Sequence, residues 1–210
     1  MPAGPSKPPA ANSPDEGLER LRAEAARCQA CPLWANATQT VFGEGSPDAA
    51  VMFVGEQPGD EEDKAGRPFV GPAGRVLDRA MQEAGIDRSA AYVTNAVKHF
   101  KWEPRGKRRM HKTPAQQEIE ACYRWLEREI ATLAPKLIVC LGATAGRALL
   151  GPKFKITEGR GRFYRMTMLP EIFATFHPSY ILRLREPART AAEEQFIADL
   201  KLVAQRLRGR

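Results

Sequence analysis

The chain has 210 residues, with 32 Lys and Arg against 25 Asp and Glu, for a net charge of +7. At 43% hydrophobic it has core enough for one globular domain, and its composition is neither disordered nor collagen-like. No apolar run approaches a membrane span and no signal-peptide core opens the chain, so a soluble cytoplasmic protein is expected, in which four cysteines argue for a metal or cluster over disulfides.

Residues 1–12, rich in Pro, Ala and Ser, read as a disordered tail ahead of a single domain over 13–210. Ser13-Pro14-Asp15-Glu16 reads as a capping box with proline at the first helical position. The helix it opens carries Leu18, Leu21 and Ala25 on one face and ends near Cys28-Gln29-Ala30-Cys31. Ala49 to Val54 is an apolar run without period, as a buried parallel strand requires, and it leads into the polar turn Gly55–Asp60. Gly71-Pro72-Ala73-Gly74 starts a helix to about Ala84, with Val76, Leu77, Ala80 and Met81 facing inward. Ala91 to Val97 is a second strand. Thr113-Pro114-Ala115-Gln116 reads as another capping box, opening a helix that holds Cys122, Trp125, Leu126 and Ile130. Lys136 to Leu141 is a third strand, and Ala143 to Leu150 a short helix. The Gly142–Gly146 segment lacks the Walker lysine and the dinucleotide spacing, so it reads as a tight strand-to-helix turn. Phe154 to Met168 is irregular or a hairpin. Ile172 to Phe176 is a fourth strand, ending in His177-Pro178-Ser179-Tyr180, and a helix from about Ala188 to Leu207 closes the chain.

This alternation predicts an α/β fold, a three-layer sandwich around a mostly parallel four-stranded sheet. Right-handed crossovers put the strand ends on one rim. Three of the four strands run into chemically unusual segments there: Gly55–Asp60, Asn95 with the basic stretch behind it, and His177–Tyr180. Ligands of open α/β sheets bind outside the carboxyl ends of the strands, so one shared site is expected.

The charge is concentrated. Between Lys98 and Lys112 seven Lys and Arg face Glu103 alone, a local +6 that leaves the remainder near neutral. Phe100, Trp102 and His111 are interleaved with these cations. A charge run is ordinarily a solvated loop, but cations suit phosphates and aromatics suit bases, which favours nucleic acid. Cys28-x2-Cys31 can offer two sulfurs to one centre, and with Cys122 and Cys140 completes a tetrathiolate for zinc or [4Fe–4S], between which spacing does not choose. Glu56 is a catalytic carboxylate or a turn cap. Phe69 is a stacking platform or core, Asn95 a base reader or a turn residue, and His177 a donor to ligand or a satisfied core histidine. His99 reads as structural.

Gly55-Glu56-Gln57-Pro58-Gly59-Asp60-Glu61-Glu62-Asp63, Pro68-Phe69-Val70-Gly71-Pro72-Ala73-Gly74, Tyr92-Val93-Thr94-Asn95-Ala96-Val97-Lys98 and His177-Pro178-Ser179 together resemble the iron–sulfur uracil-DNA glycosylases of family 4. The four cysteines match that family's cluster pattern, and the likeness runs from Cys28 to the last helix. Gln57, where hydrolytic members usually have alanine, and the Lys107–Lys112 insertion are similar to the UdgX subgroup. The resemblance implies a monomer acting on uracil-containing DNA, single-stranded by preference, with a [4Fe–4S] cluster on Cys28, Cys31, Cys122 and Cys140. It implies that Phe69 stacks on the flipped uracil, that Asn95 and Gln57 belong to the uracil site, and that His177 donates to uracil O2. Glu56 would stabilise the sugar cation or polarise the attacking group. His111 would bond to C1′ in a single turnover, kept neutral by Arg109 and Lys112. Lys107, Arg108, Arg109, Lys112 and Ser179 would hold DNA. The alternatives are a turnover glycosylase with a basic accessory loop and a non-catalytic module gripping uracil-containing or single-stranded DNA.

Overall fold

The computed structural model describes residues 13–209, and the predicted tail lies outside them. Helix α1 (Pro14–Ala25) begins as its capping residues dictate, with Ser13 Oγ accepting the Glu16 N–H at 3.3 Å. In order there follow β1 (Glu44–Gly45), β2 (Val51–Gly55), α2 (Asp60–Ala65), α3 (Pro72–Ala84) and β3 (Ala91–Asn95). Then come β4 (Trp102–Arg105), β5 (Arg108–His111), α4 (Gln116–Leu133), β6 (Leu137–Leu141), α5 (Ala143–Leu150) and α6 (Ile156–Gly159). β7 (Arg162–Tyr164), β8 (Glu171–Thr175), α7 (Pro178–Arg183) and α8 (Ala188–Leu207) complete the chain.

The sheet has six strands where four were expected, in the order β1-β3-β2-β6-β8-β7. The four long strands are those read from the sequence, and they run parallel. The two additions are edge strands of two and three residues, both antiparallel, too short to carry a periodic signal. Side chains alternate across the sheet. Met52, Val54, Ile138 and Cys140 pack with α1, α4 and α5. Val51, Phe53, Leu137, Val139 and Phe173 pack with α3, α7 and α8. Both faces are therefore apolar, which is why the strands read as continuous hydrophobic runs. Burying one such side chain contributes about 1.5–3 kcal/mol. Among the described residues no helix is long and apolar enough to cross a membrane.

Two local expectations are corrected. The basic stretch is not a loop but an antiparallel hairpin, β4–β5, turning through Gly106 at φ 59° and pairing Trp102 with His111. Thr113 does not cap α4. The cap is Ala115, whose N–H donates to Glu118 Oε2 at 2.6 Å, because Glu118 satisfies an end N–H better placed than any Thr113 reaches.

Candidate active site

The strand order reverses between β2 and β6, with β3 on one side and β8 on the other. That is the switch point at which loops from neighbouring strands part and leave a crevice. A cavity of about 530 Å3 opens there. Its wall takes Glu56 and Gln57 from the end of β2, Asn95 from β3, Leu141–Ala143 from β6 and Phe176–His177 from β8. All four parallel strands contribute, one more than expected, since the turn after β6 is part of the site. Gly142 adopts φ 89°, and a side chain there would press on His177 Cβ at 2.9 Å.

Glu56 and His111 meet at the cavity. His111 Nε2 lies 3.3 Å from Glu56 Oε1, with the imidazole 47% exposed and the carboxylate 21%. The other oxygen, Oε2, accepts the hydroxyl of Thr144 from the start of α5, and Arg147 in turn donates to Thr144 Oγ1. Glu56 is thus held at Oε2 by Thr144 while Oε1 faces His111. Burial, together with Arg183, holds the His111 pKa below the ordinary imidazole range, although Glu56 pulls it upward. The neutralising neighbour is Arg183 rather than Arg109 or Lys112, whose cations are paired elsewhere.

His177 ends β8 and caps α7. Its Nδ1 accepts the Ser179 N–H at 3.2 Å, so the proton of the neutral ring resides on Nε2, free to donate. Burial, then His111 and Arg183, depress its pKa to about 4, so it remains uncharged at neutral pH. Ser179 Oγ touches His177 Nδ1 at 2.8 Å and Arg183 at 3.2 Å, which makes Ser179 the residue that orients this histidine. Asn95 is 3% exposed and lines the cavity, and its side-chain amide meets no hydrogen-bond partner among the described residues. Gly55 lies beneath it, and a side chain there would strike both Asn95 and the Phe69 ring. Phe69 lies against the cavity with φ 57°, its ring plane 28° from that of His177. His99 is buried with Nε2 2.9 Å from Thr40 Oγ1.

The hairpin is fastened at two points. Gln57 Nε2 donates to the carbonyls of Lys101 and Lys112 at 3.1 and 3.0 Å, and its Oε1 accepts the Lys101 N–H at 2.9 Å. Both amide protons are committed to the hairpin, so Gln57, which also lines the cavity, joins the two strands at their base. Arg109 donates to Asp60 Oδ1 at 2.5 Å and Asp63 Oδ2 at 2.6 Å, and lies over the rings of Phe100 and Trp102. Asp63 is fully buried and also accepts from the Thr38 N–H and hydroxyl. The expected phosphate clamp Arg109 is therefore turned inward, an anchor to α2. Lys112 pairs with Glu103 at 2.8 Å, Lys101 with Glu118 at 2.8 Å and Lys98 with Glu129 at 2.5 Å. That leaves Arg105, Lys107 and Arg108 exposed at the hairpin turn. Asp60 and Asp63 stood in a motif without an assigned role, and Thr144 and Arg183 were not singled out in the sequence. Only Arg183 had a signal, one helical turn after Ser179.

The four cysteines are free thiols, and Cys28, Cys122 and Cys140 lie within one buried cluster with Cys31 packed against it. Cys28 Sγ accepts from Trp125 Nε1 at 3.1 Å and Arg124 at 3.3 Å, and Cys122 Sγ accepts the Lys98 N–H at 3.2 Å. Burial raises the Cys28 thiol, but its hydrogen bonds outweigh that and lower it overall. Burial pushes Cys122 up to about 12 and raises Cys140 and Cys31. Among the described residues, no three His, Cys, Asp or Glu side chains close on a single ion.

The model of the uracil DNA glycosylase superfamily matches residues 42–201. A type-4 uracil-DNA glycosylase of Thermotoga maritima is 42% identical over 172 residues, 81% of this chain and 86% of that protein. One of Sulfurisphaera tokodaii is 38% identical over 86% of this chain and 82% of its own length. A type-5 uracil-DNA glycosylase of Thermus thermophilus is 29% identical over 85% of this chain and 83% of its own length.

Proposed function

The chain belongs to the uracil-DNA glycosylase superfamily, and we propose that it excises uracil from DNA, then retains the sugar as a covalent His111 adduct. The observation that carries the second half is the hairpin histidine beside Glu56, on the same cavity as Asn95 and His177. A uracil in a duplex is inaccessible, so the base is flipped or taken from a single strand. Phe69 offers a ring face to the base. The Asn95 amide matches the uracil edge, donating to O4 and accepting from N3–H, whereas cytosine presents the reverse pattern.

His177 donates Nε2–H to uracil O2 as the C1′–N1 bond breaks and its electrons leave with the base. The sugar becomes oxocarbenium-like, and the Glu56 carboxylate stabilises that charge. The neutral imidazole of His111 then adds its lone pair to C1′, and its remaining N–H proton passes to Glu56. An alkylated imidazole is a poor leaving group, and the reaction ends after one turnover. Arg105, Lys107 and Arg108 at the hairpin turn face outward to phosphates, joining Lys112 once its exposed pair with Glu103 opens.

The donors aimed at Cys28 and Cys122 suit sulfurs that bear negative charge. The donor set is four cysteines and no other residue type, the ligand set that a [4Fe–4S] cluster takes. We therefore assign a [4Fe–4S] cluster to Cys28, Cys31, Cys122 and Cys140, with a bracing role between α1, α4 and β6 and no part in the reaction steps.

The test is incubation with uracil-containing single-stranded DNA followed by a denaturing gel. The wild type should give a band that survives heat and detergent, near one adduct per chain, mapping to His111. His111→Ala should lose the band and still release uracil. An undiminished adduct in His111→Ala ends the proposal. Free uracil over many turnovers without an adduct from the wild type would instead favour a turnover enzyme, the reading in keeping with the type-4 relatives.

A further inference from the structure

Beneath the site lies a charged group that the reaction does not use. Lys98 and Glu129 are both fully buried, their charged atoms 2.5 Å apart. The Lys98 ammonium spends its three protons on Glu129 Oε2, Thr94 Oγ1 at 2.6 Å and the Asn95 carbonyl at 2.8 Å. Glu129 in turn accepts from Tyr92 Oη and Thr94 Oγ1, each at 3.0 Å, and from the Gly43 N–H at 3.2 Å. The backbone N–H of Lys98 donates to Cys122 Sγ. Every donor and acceptor is satisfied, so this network fixes geometry instead of merely tolerating a buried charge. A buried pair adds little net stability over apolar residues of the same volume, which leaves position as what it supplies.

We propose that Lys98 is a positioning residue for base recognition. Its ammonium grips the carbonyl of Asn95 and so fixes the peptide from which the unpartnered Asn95 amide projects, while its own N–H ties that peptide turn to Cys122. The reading end of β3 is then tied to the cysteine cluster through Cys122. The inference rests on Asn95 as the base reader, and the test separates the two.

The measurement is binding, not turnover: the ratio of Kd values for single-stranded DNA carrying non-hydrolysable 2′-fluorodeoxyuridine and for the same strand with deoxycytidine. Lys98→Met with Glu129→Gln removes both charges together, so no bare charge is stranded and the fold should hold. Thr94→Val is the milder second variant, deleting the hydroxyl between the two charges without changing volume. Discrimination should fall about 10-fold or more in the double variant and by a smaller factor in Thr94→Val, since an edge-matched amide supplies discrimination of that order. A role in stability alone would lower the melting temperature and leave the ratio per folded molecule intact. Wild-type discrimination in folded Thr94→Val or in the double variant, with Asn95→Asp impaired, overturns the positioning role by itself. Wild-type discrimination in Asn95→Asp as well would remove the base-reading assignment and this inference with it.

Discussion

Arg109 offers the sharpest test of how the hairpin works, because two roles for it predict different observables. Arg109→Met deletes the bonds to Asp60 and Asp63 and leaves the fully buried Asp63 without its cation. Removing one member of a buried pair costs about 3–5 kcal/mol. Asp63 retains the Thr38 N–H and hydroxyl, so the low end applies, about 3 kcal/mol. If that falls on hairpin docking, the docked-to-undocked ratio drops by roughly 100-fold. Gln57 still holds the base of the hairpin, so His111 is delivered more rarely but not lost. The assay is single-turnover capture on a uracil-containing strand at saturating protein, alongside DNA affinity across a salt series. Capture should slow by 10-fold or more while the salt slope keeps its wild-type value. Asp63→Asn should slow capture as well, although it alters no cation that could face DNA. The anchor is refuted if Asp63→Asn captures at the wild-type rate while Arg109→Met lowers the salt slope by about 0.7, the signature of one lost phosphate contact on a single strand.

Three further outcomes are expected. With Arg105, Lys107 and Arg108 as the unpaired cations, log K against log[salt] should fall with a slope of about −2 on single strands, and a flat response would remove their role. Capture should be flat at neutral pH and decline as pH falls through the His111 pKa, below its ordinary 6.5, because the depressed value keeps the reactive neutral form until then. Arg183→Leu removes one cause of that depression and should move the midpoint upward; an unmoved midpoint would assign the acid limb to another group. Protein purified without oxygen should be brown with about four irons per chain, whereas stoichiometric zinc without visible absorbance would overturn the cluster.

What could be read in the sequence was what periodicity and chain order encode. The four parallel strands appear as apolar runs because both their faces are covered, α1 announces itself through its Ser13 cap, and α1, α3 and α8 each bury one stripe of apolar residues. The rim followed from topology alone. Helix α2 escaped notice because Asp60–Ala65 has no apolar residue before its last and too few turns for a stripe. Pairings escaped for another reason: a sequence gives the sign of a charge and not its direction. Arg109 finds its acids 46 and 49 positions away, and Lys98 finds Glu129 31 positions away, so a +6 stretch resolved into four paired cations and three without an ion pair among the described residues. Gln57 was marked for standing where hydrolytic members usually have alanine, and nothing in the sequence told that its amide would bond to Lys101 and Lys112 across the hairpin.

The backbone of Phe69 has a consequence for how a base is received. A φ of 57° is unfavourable for an aromatic residue, and Gly74 permits it, since any side chain there would collide with the Phe69 carbonyl. The ring is consequently ordered by folding itself, before any DNA is present. On the proposal that Phe69 receives the base, a flipped nucleotide would lose its own freedom without having to immobilise its receptor, and a base that fits poorly would find no adaptable surface to remould around it. Rigidity acquired during folding becomes selectivity at encounter.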